Sequence, residues 1–110
     1  MNWWLASTLV VVACRPTGTD STNPAELFAT YCTNCHGPTG KPPAAMVARY
    51  NVRDLTAAEF RKTLTAERVE GQILIGSQNG LMPSFAQLLT DKQVKALAAW
   101  VASSEFVAPR

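Results

Sequence analysis

At 110 residues the chain has room for one domain, and its net charge of +2 comes from 10 basic and 8 acidic residues scattered along it. No basic stripe or run of the kind that neutralises phosphates is present, which argues against a nucleic-acid partner. The scarcest reactive side chains are three cysteines and a single histidine.

"MNWWLASTLVVVAC" begins with an apolar run from Trp3 to Ala13, too short to span a bilayer as a helix and of the length of a signal-peptide core. Its only positive charge before Arg15 is the terminal amine. "VVAC" resembles a bacterial lipobox, in which small or apolar residues precede a cysteine that is lipidated and becomes the first residue. Residues 1–13 are therefore expected to be a lipoprotein-type signal peptide, and Cys14 the lipid carrier. The rival reading is an ordinary signal peptide cut elsewhere, with Cys14 discarded or left as a free thiol. Both imply export, to the periplasm or the external face of a bacterial membrane. Residues 15–22, "RPTGTDST", are small, polar and breaker-rich. Together with Cys14 they are expected to form a flexible tether, of which the eight residues 15–22 reach about 25 Å when extended.

The globular part, residues 23–110, opens with "NPAELFATYCTNCHG". Asn23 can cap a helix, Pro24 fits its first position and Glu26 completes a capping pattern. Leu27, Phe28 and Tyr31 form an apolar stripe running into Cys32. Residues 37–54 hold three prolines and two glycines and are expected to be mostly loop. In "LTAAEFRKTL", Thr56 and Glu59 suggest a capping box and Leu55 a staple onto Phe60. A further helix is predicted in "TAERVEGQILIG", with Val69, Ile73 and Ile75 facing inward and Gly76 ending it. "SQNGLMPSFAQ" reads as a loop. The last helix is the clearest: Thr90 and Gln93 form a capping box, Leu89 and Val94 a staple, and Val94, Leu97, Ala98 and Val101 recur at helical spacing. No alternating run calls for a sheet, so the domain is predicted to be all-α.

Cys32, Cys35 and His36 make the pattern C-x-x-C-H, the attachment site of c-type haem. Sulfurs three residues apart lie on one side of a helical turn. Each can add to a haem vinyl group, and His36 follows as an axial ligand. Two cysteines and one histidine fall short of a structural zinc site, no βαβ pattern supports a thioredoxin-like pair, and a disulfide between residues three apart closes too small a loop to stabilise much. The other nitrogen of His36 needs an acceptor, for which the carbonyl of Pro42 or Pro43 is a candidate. With no second histidine, the opposite ligand falls to Met46 or Met82. Met82 has the better surroundings, with Gly80 permitting a turn, Pro83 stiffening the chain and Phe85 available as a shield.

"LFATYCTNCHG", "NGLMPSF" and "VKALAAWV", in this order and separation, resemble class I cytochrome c over roughly residues 23–103. The resemblance implies three to five helices around one covalently bound haem c. It also implies a crossing of first and last helices that brings Phe28 to the Leu97–Trp100 surface, with tryptophan where relatives often carry tyrosine. The Gly-x-Met-Pro pattern makes Met82 the expected sulfur ligand, and Tyr50, Arg53 and Arg68 become candidates to meet the propionates.

A haem closed by His36 and Met82 has no open coordination site, which points to an electron carrier and not an enzyme. The expected role is one-electron transfer on a lipid anchor, visiting a quinol-oxidising complex and a terminal oxidase or reaction centre, or docked as the haem subunit of a larger oxidoreductase. The alternative is a gas sensor or peroxidase-like enzyme with an open axial position. No spare acid or base beside a motif supports it.

Overall fold

The computed structural model describes Val10 and residues 19–109, and these contain helices and turns with no strand. The predicted signal peptide and Cys14 lie outside the described residues, Val10 apart. Three helices of eight or more residues carry the domain: α1 (Pro24–Tyr31), α5 (Ala66–Ile75) and α6 (Asp91–Ala102). Four shorter pieces, α2 (Thr33–His36), α3 (Ala44–Tyr50), α4 (Ala58–Lys62) and α7 (Ser104–Val107), place the loops around them.

Local chemistry explains the main boundaries. Asn23 accepts a hydrogen bond from the Ala25 N–H at 3.0 Å, and Pro24 occupies the first helical position of α1. The Thr65 hydroxyl caps α5 by accepting from the Arg68 N–H. At α6 both halves of the Thr90–Gln93 capping box are formed. Leu89 and Val94, the expected staple, are both buried.

Helix α6 is the central element. Its residues Val94, Leu97, Ala98 and Val101 are almost wholly buried, and α5 and α1 pack against it. From α1 come Leu27 and Phe28, and the Phe28 ring meets Trp100 edge-on at 5.9 Å. The crossing of first and last long helices is thus as expected. α7 then turns back and packs Phe106 against both Phe28 and Trp100, with ring centroids at 5.2 and 5.0 Å. Edge-to-face pairs of this kind add to the area term of a buried aromatic cluster. The ring of Phe106 lies so close to Gly40, at φ 90°, that a Cβ there would sit 2.5 Å from it. Only glycine lets the loop pass.

Residues 37–54 are mostly loop, as expected, but the breaker-free stretch after Pro43 forms α3. Two expectations are corrected. The Thr56–Glu59 capping box does not form: the Thr56 hydroxyl donates to the Asp54 carboxylate at 2.6 Å, and α4 starts after Ala57 with no side-chain cap. Ile75 faces outward, 79 % exposed, while Ile73 is buried.

Arginine 61 supplies a tie that no helical pattern announces. Its guanidinium donates to the carbonyls of Leu55, Val101 and Ser103 at 3.1, 2.9 and 2.9 Å and lies over the Phe106 ring. One planar fork therefore joins α4 to the end of α6, where carbonyls lack helical partners.

Candidate haem site

The C-x-x-C-H motif sits where α1 ends. Cys32 departs from helical geometry at φ −118° and its N–H still bonds to Phe28, so the chain swings into the single turn α2. The His36 N–H bonds back to the Cys32 carbonyl at 2.9 Å, holding the motif as one compact turn. Cys32 packs against the core, whereas Cys35 is exposed, and both are free thiols. Burial, and then the neighbouring Cys35, push the Cys32 thiol up to about 12, so it is protonated at neutral pH.

His36 is held from behind. Its Nδ1 lies 3.0 Å from the Arg53 carbonyl oxygen. A carbonyl can only accept, so Nδ1 carries the hydrogen and Nε2 keeps its lone pair. Burial lowers the His36 pKa, and the Arg53 hydrogen bond offsets this in part. The product is a neutral, oriented imidazole with its metal-binding nitrogen available. The acceptor is Arg53, not Pro42 or Pro43 as expected, because the chain returns past His36 only after α3.

Met82 is half-buried against the core, and its backbone is fixed on both sides by Ser77. The Ser77 N–H donates to the Met82 carbonyl at 2.9 Å, and the Met82 N–H donates to the Ser77 hydroxyl at 3.0 Å. The Phe85 N–H continues the attachment with a bond to the Ile73 carbonyl at 2.9 Å. A loop pinned this closely holds a weak thioether at small entropic cost. Ser77 is not among the residues expected to shape this loop, which were Gly80, Pro83 and Phe85. Its position directly after the helix-ending glycine was the available signal.

Met46 lies on α3, a helix without a buried residue. The three propionate candidates have protein partners: Arg68 donates to the Thr63 carbonyl and hydroxyl, the Arg53 guanidinium covers Phe60, and Tyr50 lies under Arg49.

Among the described residues no group of three or more His, Cys, Asp and Glu forms a cage for a metal ion. Two free thiols on one turn and an imidazole with a prepared Nε2 suit a metal that arrives in its own ring, since haem needs only attachment and axial ligands. The donor chemistry fits haem. No described helix is long and apolar enough to cross a membrane.

Known proteins agree with this chemistry. A family model described as cytochrome c oxidase, cbb3-type, subunit III, matches residues 19–101. Among solved structures, the KustC0563 c-type cytochrome superposes with a TM-score of 0.64 at 30 % identity, over 73 % of this chain and 94 % of that one. No curated protein matches. With the family match spanning most of the chain and an all-α fold shared with a c-type cytochrome, the protein is a small c-type cytochrome of the cbb3-type subunit III family, and its general chemistry is haem-based electron transfer.

Proposed function

We propose that the chain carries one haem, bound through thioethers from Cys32 and Cys35, with His36 and Met82 as axial ligands. In this reading it transfers single electrons from a quinol-oxidising complex to a terminal oxidase or reaction centre. Lipid at Cys14 anchors it on the periplasmic or external face of a bacterial membrane. The haem supplies a centre that gains and loses one electron. The protein supplies fixed ligands and an apolar surround, so little has to move when the charge changes.

The observation that carries the proposal is the pair of backbone clamps on the ligands. The Arg53 carbonyl orients His36, and Ser77 grips Met82 from both sides. A site built for an open coordination position has no use for a rigid sixth ligand. The family match, described by an oxidase subunit, supports an oxidase on the accepting side, and with it a docked subunit as well as a mobile carrier.

The test is the optical spectrum of the ferric protein together with carbon monoxide addition to the reduced form. The expected result is a methionine-sulfur-to-iron charge-transfer band and no reaction with carbon monoxide. Met82→Ala should abolish the band and open the reduced iron to carbon monoxide. Retention of the band in Met82→Ala would move the ligand elsewhere, with Met46 next in line. Absence of the band with rapid carbon monoxide binding in the unaltered protein would favour the sensor or enzyme reading.

A further inference from the structure

Gln93 is the one buried polar side chain among the described residues, at 5 % exposure. Its Oε1 accepts from the Thr90 N–H at 3.0 Å, completing the capping box. Its Nε2 donates to the carbonyls of Thr19 and Ser21, both at 2.9 Å and more than seventy positions earlier in the chain. An amide has two donor hydrogens, and both are used here. Capping needs only the oxygen, and glutamate would serve equally in that box. The donors do something else: they hold down residues 19–22, the last part of the expected flexible tether.

The segment is braced internally as well. The Ser21 N–H donates to the Thr19 hydroxyl at 3.1 Å, and the Asn23 N–H to the Ser21 hydroxyl at 3.0 Å. The Thr19 N–H reaches the Tyr31 hydroxyl at 3.4 Å. Tyr31 adjoins Cys32 and meets Phe85 edge-on. The segment thus lies where α1 ends and α6 begins.

We propose that residues 19–22 form a strap clamped by Gln93, so that a chain anchored at Cys14 holds the domain on a leash of only five residues, Cys14 to Gly18. The leash rests on lipidation at Cys14; the strap does not. Five residues reach at most about 17 Å, against about 30 Å for a tether of nine. The short leash keeps one end of the bundle, where Tyr31 and the start of α6 meet the strap, nearest the membrane.

The strap is tested in the mature holoprotein with Asp20→Cys carrying a nitroxide, in both the lipidated protein and a Cys14→Ser version. The label should be immobilised beside Gln93 and mobile in Gln93→Glu, which keeps the capping oxygen but has no donors. Gln93→Met, which buries no charge, should release it too, with helix content and haem spectrum unchanged. A label equally mobile in all three proteins would overturn the strap.

The leash is tested on phosphatidylglycerol vesicles containing a nickel-chelating lipid, with the nitroxide moved to Asp91→Cys. Relaxation of that label by nickel should fall at least twofold on Gln93→Met as the leash lengthens. No change, with the strap intact by the first measurement, would overturn the leash. Failure of the lipidated-form preparation to bind vesicles would overturn the anchor at Cys14, and the leash with it, while the strap result in Cys14→Ser would stand.

Discussion

Gly76 ends α5 at φ 78° and ψ −170°, backbone that is open almost only to glycine. A Cβ placed there would stand 2.5 Å from the Met82 carbonyl oxygen and 2.9 Å from both the Pro83 carbonyl carbon and the Ser84 nitrogen. All three are main-chain atoms, so no flexible side chain can move aside. Reaching ordinary contact requires the Met82–Ser84 backbone to retreat by about 0.5 to 1 Å. The Ser77 clamp on Met82 starts one residue after the substituted position and would be strained by that retreat. Gly76→Ala should therefore cost about 2 to 4 kcal/mol, from the disallowed dihedrals and the displaced loop together. It should also weaken the sulfur-to-iron charge-transfer band before the domain unfolds. Gly71 is the matched control: it lies inside α5, and a Cβ there meets nothing within 4 Å. Gly71→Ala should stabilise by about 0.5 to 1 kcal/mol through helix propensity. Guanidinium denaturation, followed by circular dichroism and by the charge-transfer band, measures both. Equal stability of the two variants, with the band intact, would refute the argument that the Gly76 contact positions Met82.

Arg61→Lys should cost about 1 to 3 kcal/mol in the same denaturation assay, because one ammonium cannot span the carbonyls of Leu55, Val101 and Ser103; no loss would show the fork to be dispensable. Burial pushes the Asp54 carboxyl up, but hydrogen bonds from Thr56 and the charge of Lys41 outweigh it, leaving the pKa below its ordinary value. The contribution of Asp54 to stability is thus present above the unfolded carboxylate pKa and lost as pH falls through the lower folded one. Thr56→Val should raise the Asp54 pKa in an NMR titration, and an unmoved titration would remove the Thr56 hydroxyl as a cause. Cys35→Ala should give little folded holoprotein in a cytochrome-maturing host; yield and stability like those of the unaltered protein would count against thioether attachment.

The distinction between α3 and the loop before it was within reach of the sequence. Three prolines and two glycines coloured the whole of residues 37–54, although every one of them precedes Ala44. The failure at Thr56 was of another kind. Its hydroxyl had a choice between capping α4 and serving Asp54, and local pattern does not rank the two.

What the amino-acid sequence determined by itself is what neighbours along the chain decide. The Thr90–Gln93 box, the Asn23–Pro24 start and the inward face of α6 depend on residues within one or two helical turns. So does the compact turn of Cys32, Cys35 and His36, whose spacing identifies the chemistry. Tertiary structure decided which distant atoms complete each of these. Arg53 lies 17 positions from the imidazole it orients, and Arg61 lies 40 and 42 from the Val101 and Ser103 carbonyls it satisfies. Thr19 lies 74 from the amide that holds it. Most of these acceptors are backbone carbonyls, which every residue carries alike. Their identity leaves no trace in side-chain pattern, and only the path of the folded chain selects them.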